Sequence, residues 1–327
     1  MTHDTLALGI IGAGIMGERM LGVLSGPDAG RDAGSVRVAG IWDPSEAALA
    51  RIAARYPAVP RLADADALIA ASACVYVASP PASHLGYARR AAAAGRSLFL
   101  EKPLAVDVAE ARRFVDEVDI RGAVNFPFAA APAVATLVRW IAEGVVGTPR
   151  RLTIAVAFAH WPRPWQADAV NWLDARAEGG FTREVVSHFL FLARRLLGPL
   201  ASLEGHADFP QAGRAERAIE ATLSAGGVPV HLRGRVGGTD LADHNTWTLE
   251  GDAGTIRLRD WSIAERMGPD GHFVAAEDAL PNDRARLIAL RGQLDGVVRM
   301  AHGEPHPLAT FAEALNVQEI VESLIAA

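Results

Sequence analysis

The sequence predicts an α/β protein of two domains: an N-terminal Rossmann-type, doubly wound parallel sheet, then an α+β domain with a largely antiparallel sheet. Three observations lead there. A chain of 327 residues is longer than one ordinary hydrophobic core supports. Through the first half, short apolar runs alternate with amphipathic segments at helical spacing, the rhythm of βαβ units whose strands are covered on both faces. After residue 150 that rhythm stops, and strand-like runs follow one another with a single helical interruption.

In chain order, residues 6–12, 36–42, 74–78, 97–101 and 122–126 read as the parallel strands. Between them, residues 45–55, 83–94 and 106–118 carry Ala, Glu and Arg at helical spacing. Ser45 and Asp107 stand where N-caps are expected, because their side-chain oxygens accept the unpaired N–H groups of a first turn. Residues 26–35, rich in Gly, Asp and Pro, read as a mobile surface loop before the second strand. A helix pattern begins after Pro132 and runs to Glu143, where Gly144 and Gly147 close it. The domain boundary falls near residues 125–132, giving domains of residues 1–127 and 128–327. In the second, residues 151–159, 217–224, 228–236, 245–250 and 255–260 read as strands and residues 181–197 as a helix. Two terminal helices, near residues 282–302 and 308–325, finish the chain.

Half of the residues are hydrophobic and 21% are charged, the balance of a folded globular chain. A net charge of −6 with scattered basic residues offers no cationic stripe for a phosphate backbone, so nucleic acid is not an expected partner. No apolar run approaches the roughly 18 to 20 residues that cross a bilayer, so a membrane is not expected either. Residues 6–16 are apolar enough for a signal core, but their patterned glycines suit a strand and phosphate turn better. The lone Cys74 cannot form an intrachain disulfide, and no basic or twin-arginine leader opens the sequence, so a cytoplasmic protein is expected. Lys102 is the single lysine among 32 basic residues. A GC-rich genome explains the drift from Lys to Arg but not the exception. Arginine stays protonated, whereas lysine can be tuned to exchange a proton.

The run Gly12-Ala13-Gly14-Ile15-Met16-Gly17 places G-x-G-x-x-G after a strand and at the start of a helix. Gly12 allows a tight turn, Gly14 lets the backbone approach a pyrophosphate, and Gly17 allows close helix-strand packing, with the helix N-terminus facing the anion. The second strand ends at Asp43, which is placed to receive the adenine ribose hydroxyls; its other reading is a helix N-terminal charge beside Pro44. With no Arg or Lys between Trp42 and Leu49, a 2′-phosphate would meet an uncompensated carboxylate, so NAD is preferred to NADP.

At the next two strand ends stand Ser79-Pro80-Pro81-Ala82-Ser83-His84 and Glu101-Lys102-Pro103. Together with the glycine motif, these resemble the glucose-fructose oxidoreductase, inositol dehydrogenase and MocA-type (Gfo/Idh/MocA) dehydrogenases along essentially the whole chain. The resemblance implies a Rossmann domain followed by an open-faced domain for substrate binding and oligomerisation, with substrate between the two. It also implies that Ser79, Pro80, His84, Glu101 and Lys102 line the cofactor, Lys102 reaching the substrate hydroxyl as well. Association into a homodimer or homotetramer through the C-terminal sheet is implied in the same way.

Removing a hydride from a carbinol carbon requires loss of the hydroxyl proton, so a cation and a proton acceptor should converge on that oxygen. Lys102 fits the cation; a surface lysine is the plainer reading, against which its uniqueness and strand-end position count. The family pattern for the acceptor is a glycine cluster followed by Asp-x-x-x-His at a helix start. This chain has Gly179-Gly180 followed by Glu184 and His188, four residues apart on one helix face. His188 is the proton exchanger and Glu184 its orienting partner or a substrate ligand; a helix-stabilising pair or a core histidine is the plainer reading. Glutamate in place of aspartate lengthens the arm by one methylene.

Where the family often carries polar residues after the last Rossmann strand, this chain has Asn125-Phe126-Pro127-Phe128-Ala129-Ala130. Asn125 and Phe128, with Trp165, Asn171 and Trp172, are candidate substrate contacts and hint at a less hydroxylated substrate; core or dimer packing is the alternative for the tryptophans, Trp161 included. His302 and His306 have i,i+4 spacing, but Gly303 and Pro305 break the helix needed to aim them at a metal, so none is expected. The leading reading is an NAD(P)-dependent dehydrogenase or reductase of a small sugar, polyol or diol-like substrate. An imine or apolar-diol enzyme of the same fold is one alternative, and a non-catalytic dinucleotide sensor another.

Overall fold

Five short strands, β1 (Leu6–Ile11), β2 (Val36–Trp42), β3 (Cys74–Val77), β4 (Ser97–Leu100) and β5 (Gly122–Val124), form a parallel sheet in the order β2-β1-β3-β4-β5. The computed structural model describes residues 5–25 and 35–326, so the loop expected over residues 26–35 lies, apart from Ser35, outside the described residues. Strands β1 and β3 are buried at every position, which is why they read as unbroken apolar runs and not as alternating ones. Beyond β2, Ile41 pairs with Arg61 in a single parallel bridge, the trace of a further strand.

The crossover helices are α1 (Ile15–Ser25), α2 (Glu46–Arg55), α3 (Ala65–Ala71), α4 (His84–Ala93) and α5 (Val108–Glu117). Ser45 and Asp107 are N-caps, accepting from the Ala48 and Glu110 N–H groups at 3.3 and 2.7 Å. Helix α3 is absent from the sequence reading. Its two turns are too short to display a period, and its only local mark is the Asp64 cap on the Ala67 N–H at 2.7 Å. This sheet lies in a unit of Met1–Phe126 that also takes in Leu290–Leu315. There Ala309 bridges Val124, and Phe311 packs edge-on against Phe114 with ring centroids 5.4 Å apart.

The second unit, Pro127–Ala289 with Asn316–Ala327, is built on eight strands. They are β6 (Pro149–Phe158), β7 (Leu200–Asp208), β8 (Ala218–Ala225), β9 (Val228–Val236), β10 (Asp243–Gly251), β11 (Thr255–Arg259), β12 (Ile263–Met267) and β13 (Phe273–Ala275). Their order is β13-β12-β11-β10-β6-β9-β8-β7, antiparallel except where β6 meets β9. Helices α6 (Pro132–Ala142) and α8 (Ser187–Leu197) pack against this sheet, with the short α7 (Val170–Leu173) before α8. Alternation along β9 buries Val230 and Leu232 and leaves His231, Arg233 and Arg235 exposed, so one face of the sheet is open. The sequence reading lacks β7, β12 and β13: in β7 most side chains are exposed, β12 buries only two of its five, and β13 has three residues, so none carries a clear apolar pattern. The chain ends in α9 (Asn282–His302) and α10 (Phe311–Ala326). Among the described residues no helix is long and apolar enough to cross a membrane.

Cys74 lies inside β3, and burial pushes its thiol up to about 12. An unfolded thiol ionises near 9, so above that pH the unfolded chain loses a proton that the folded chain keeps. Stability therefore falls as pH rises past about 9, by at most about 1.4 kcal/mol per pH unit from this group. Native protein at pH 8 is expected to resist a disulfide reagent such as Ellman's, and to release one equivalent of thiol on unfolding in urea. Fast labelling of the native fold would show the strand opening locally.

Candidate active site

In the first unit the strand order reverses between β1 and β3, so their C-terminal ends open a crevice where ligands of such sheets bind. The glycine turn lies there. Gly12 has φ +107°, and a Cβ on it would stand 2.6 Å from the Ala78 carbonyl carbon and 2.7 Å from the Ser79 nitrogen. A Cβ on Gly17 would fall 1.9 Å from the Gly12 carbonyl oxygen, so helix and strand touch backbone to backbone. A Cβ on Gly14 would meet nothing within 4 Å: this side of the turn is open, and Gly14, Ile15 and Met16 all retain exposed surface. A dinucleotide pyrophosphate fits that arrangement, at the N-terminus of α1.

Asp43 follows β2 and closes the same turn. Its two carboxylate oxygens accept from the Ala13 and Ser45 N–H groups, each at 2.8 Å, and keep lone pairs for hydroxyl donors. Sequence reasoning missed Arg51. From α2 its guanidinium donates to the Ala13 carbonyl at 2.7 Å and lies 3.6 Å from Glu18, which brings a cation back to the glycine turn from just beyond Leu49.

The next two strand ends are tied together. His84, buried at the start of α4, sets Nδ1 2.8 Å from the Pro103 carbonyl oxygen and Nε2 2.7 Å from that of Ser79. The imidazole thus bridges the Ser79-Pro80 loop to the loop that carries Lys102. Ser83 Oγ donates to Ser79 Oγ at 2.7 Å or to the Pro80 carbonyl at 2.8 Å. Lys102 is partly exposed just beyond β4, while its neighbour Glu101 is buried. The Glu101 carboxylate accepts from Tyr76 Oη and, at 2.7 Å, from Asn125 Nδ2; Asn125 Oδ1 in turn accepts from Gln293 Nε2 at 2.9 Å. Burial and the adjacent Glu101 charge hold the Tyr76 hydroxyl well above its ordinary range, so it stays a donor. Asn125, expected at the substrate, is 1% exposed and its amide is spent inside this network.

In the second unit, Gly179 and Gly180 are small because backbone and a buried carboxylate crowd them. A Cβ on Gly179 would come within 2.2 Å of the Leu173 carbonyl oxygen, and one on Gly180, at φ +104°, within 2.2 Å of Glu216 Oε2. Glu216 accepts from the Thr182 N–H at 2.7 Å and so caps the helical segment that follows. That segment opens with a π turn over Thr182–Val186, in which the Ser187 N–H reaches the Thr182 carbonyl, and continues as α8. Arg183 anchors it with two bonds to Glu322, at 2.6 and 2.7 Å. Along residues 181–190 every residue is buried except Glu184 and His188. Two chemical groups, one turn apart, are what the start of this helix leaves accessible.

Around His188 stand aromatic rings. Phe128 meets it edge-on at 6.1 Å and Trp261 at 5.6 Å. Trp261 was not anticipated, since nothing in an Asp-Trp pair between two strands marks it. Trp161 is core, packed on Phe158 and Phe181 at 5.3 and 6.1 Å. Trp165 is 48% exposed with Arg163 over its ring at 4.7 Å, Asn171 is exposed, and Trp172 is partly so. Helix α9 ends at His302, followed by Gly303 at φ +75°, so His302 and His306 do not share a helical turn.

Comparison with known proteins agrees with both halves. Residues 6–127 match the oxidoreductase family with an NAD-binding Rossmann fold, and residues 134–257 match the GFO/IDH/MocA C-terminal domain. Oxidoreductase P35 of Formosa agariphila is 26% identical over 80% of this chain and 82% of its own. Inositol 2-dehydrogenase of Rhizobium meliloti is 29% identical over 59% of this chain and 56% of its own. In fold, a levoglucosan dehydrogenase solved with NADH and levoglucosan superposes with a TM-score of 0.82 at 18% identity, over 99% of this chain and 96% of that one. The fold and the glycine turn define an NAD-binding oxidoreductase. The chain belongs to the Gfo/Idh/MocA family of these enzymes.

Proposed function

We propose that the enzyme is a dehydrogenase that oxidises a carbinol carbon of a small sugar, polyol or diol-like substrate, with Lys102 and His188 handling the hydroxyl proton. The observation that carries this reading is the accessibility of Glu184 and His188 alone along an otherwise buried helix start. Gly12, Gly14 and Gly17 hold the dinucleotide pyrophosphate and Asp43 its adenine ribose, while Ser79, Pro80 and His84 shape the strand ends near its other half. When bound, nicotinamide supplies the hydride acceptor. Lys102 polarises the hydroxyl through its ammonium group, and an imidazole nitrogen of His188 takes the proton. Glu184, one turn before His188, orients the imidazole or the substrate. The test is a screen of polyols, sugars, diols, keto acids and cyclic imines with NAD and NADP and their reduced forms. Binding of NADH without turnover of any of them would favour a sensor instead.

NAD is the preferred cofactor, because a 2′-phosphate would sit beside the Asp43 carboxylate while Arg51 is already engaged with Ala13 and Glu18. Asp43→Ala is expected to weaken NAD binding about ten-fold more than NADP binding, by fluorescence titration of the two reduced forms. Because Asp43 also holds the turn, equal losses for both would assign it a purely structural role. Association through the open sheet face into a homodimer or homotetramer, and a cytoplasmic location, complete the reading. Neither nucleic acid nor membrane enters it.

A further inference from the structure

We propose that Trp261 is a stacking platform that selects ring-shaped sugars and cyclic polyols by their C–H face, an inference that rests on the functional reading above. The turn between β11 and β12 holds two consecutive non-glycine residues in the left-handed region, Asp260 at φ +46° and Trp261 at φ +73°. A bulky aromatic residue rarely adopts that conformation, and it persists only where neighbours enforce it. Here they do. The Asp260 N–H donates to the Asn245 carbonyl at 2.9 Å, and Asp260 Oδ1 accepts from the Asn245 N–H at 3.0 Å and lies 2.9 Å from His244 Nδ1. With the buried Asn245 amide turned to suit its neighbours, its oxygen accepts from the Trp261 indole N–H at 3.0 Å.

The indole is therefore fixed at both ends, by its backbone and by its one polar atom. Its ring packs on the buried Phe128 and Phe189, with centroids 5.8 and 5.2 Å away, while Trp261 itself stays partly exposed. It stands at 74° to the His188 imidazole, 5.6 Å off. The strained turn thus sets a partly exposed indole beside the group assigned to proton exchange. A pyranose or inositol ring presents several C–H bonds, polarised by neighbouring oxygens, on one flat face that complements an indole. An open-chain polyol must freeze several rotors to do the same.

Trp261→Leu and Trp261→Phe test this: leucine fills space without a π face, and phenylalanine keeps one. The probes are myo-inositol and D-glucose against the open-chain sorbitol, each with NAD, read as KM and kcat, and by saturation-transfer NMR of the same compounds with enzyme and NADH. Trp261→Leu is expected to raise KM for the ring substrates about five- to ten-fold and for sorbitol by less than about two-fold, with kcat little changed. Trp261→Phe should restore most of the loss, and saturation in the wild type should concentrate on ring C–H protons. Equal KM changes for ring and open-chain probes, or failure of Trp261→Phe to rescue, would overturn the stacking role and leave the dehydrogenase reading standing. A wild type that turns over and binds none of the three would overturn both.

Discussion

Lys102→Ala is expected to lower turnover about a thousand-fold while NADH affinity changes by no more than about three-fold. The side chain leaves the chain just beyond β4, where the sheet presents its ligand-binding edge, and the residue before it is locked in place. Glu101 is 7% exposed and held by Tyr76 and Asn125, so the backbone that launches the lysine has little freedom. His84 fixes the same loop from the other side through the Pro103 carbonyl. A site built this way supplies a positioned amine, and its removal should cost transition-state stabilisation more than ground-state binding. Lys102→Arg is the sharper comparison. It keeps the charge but spreads it over a longer, planar guanidinium that cannot take the place of a compact ammonium beside the hydroxyl, so kcat should stay low although the charge is retained. Steady-state kinetics with the best substrate of the screen, together with NADH fluorescence titration, separate the two effects. Undiminished turnover in Lys102→Ala would remove the amine from the chemistry.

Much of the first unit is visible in the sequence because burial on both faces of a parallel strand leaves a short unbroken apolar run, such as Leu6–Ile11, which the glycine turn then closes. The glycine turn is visible for the same kind of reason: three positions where backbone or open space must replace a side chain leave glycine as the residue that fits. Glu184 and His188 could be paired from their spacing. Glu216 could not, because a buried carboxylate that caps a helix from 34 residues away leaves no local mark. Nor could the relay from Tyr76 through Glu101 and Asn125 to Gln293, whose last step spans 168 residues of chain. Asn125 shows how the inference goes astray. A polar residue at a strand end suggests a ligand contact, yet here the amide satisfies a buried carboxylate, which is costly to leave unpaired. Trp261 is hidden more deeply, since its backbone conformation runs against the preference of its own residue type.

The three glycines of the turn should separate when each is changed to alanine, since the structure gives each a different reason for being small. Gly12→Ala combines a φ of +107° with overlap against the Ala78 and Ser79 backbone, and Gly17→Ala drives a methyl to within 1.9 Å of the Gly12 carbonyl oxygen. Neither contact is the tip of a flexible side chain, so relief requires moving β1, α1 or the Ser79 loop. Each variant is expected to lose about 2 to 4 kcal/mol of stability, together with most NADH binding. Gly14→Ala has no clash within 4 Å and no positive φ, so its melting temperature should stay within about 2 °C of the wild type. Yet the added methyl enters the open side of the turn, where the pyrophosphate is to lie against the backbone. NADH affinity should therefore fall about ten-fold or more in a protein that is otherwise intact. Thermal melts with and without NADH read both quantities at once, because ligand stabilises only the fold it binds. A Gly14→Ala protein whose melting temperature rises with NADH as much as that of the wild type would place the pyrophosphate elsewhere. The glycine at that position would then be an accident of the turn.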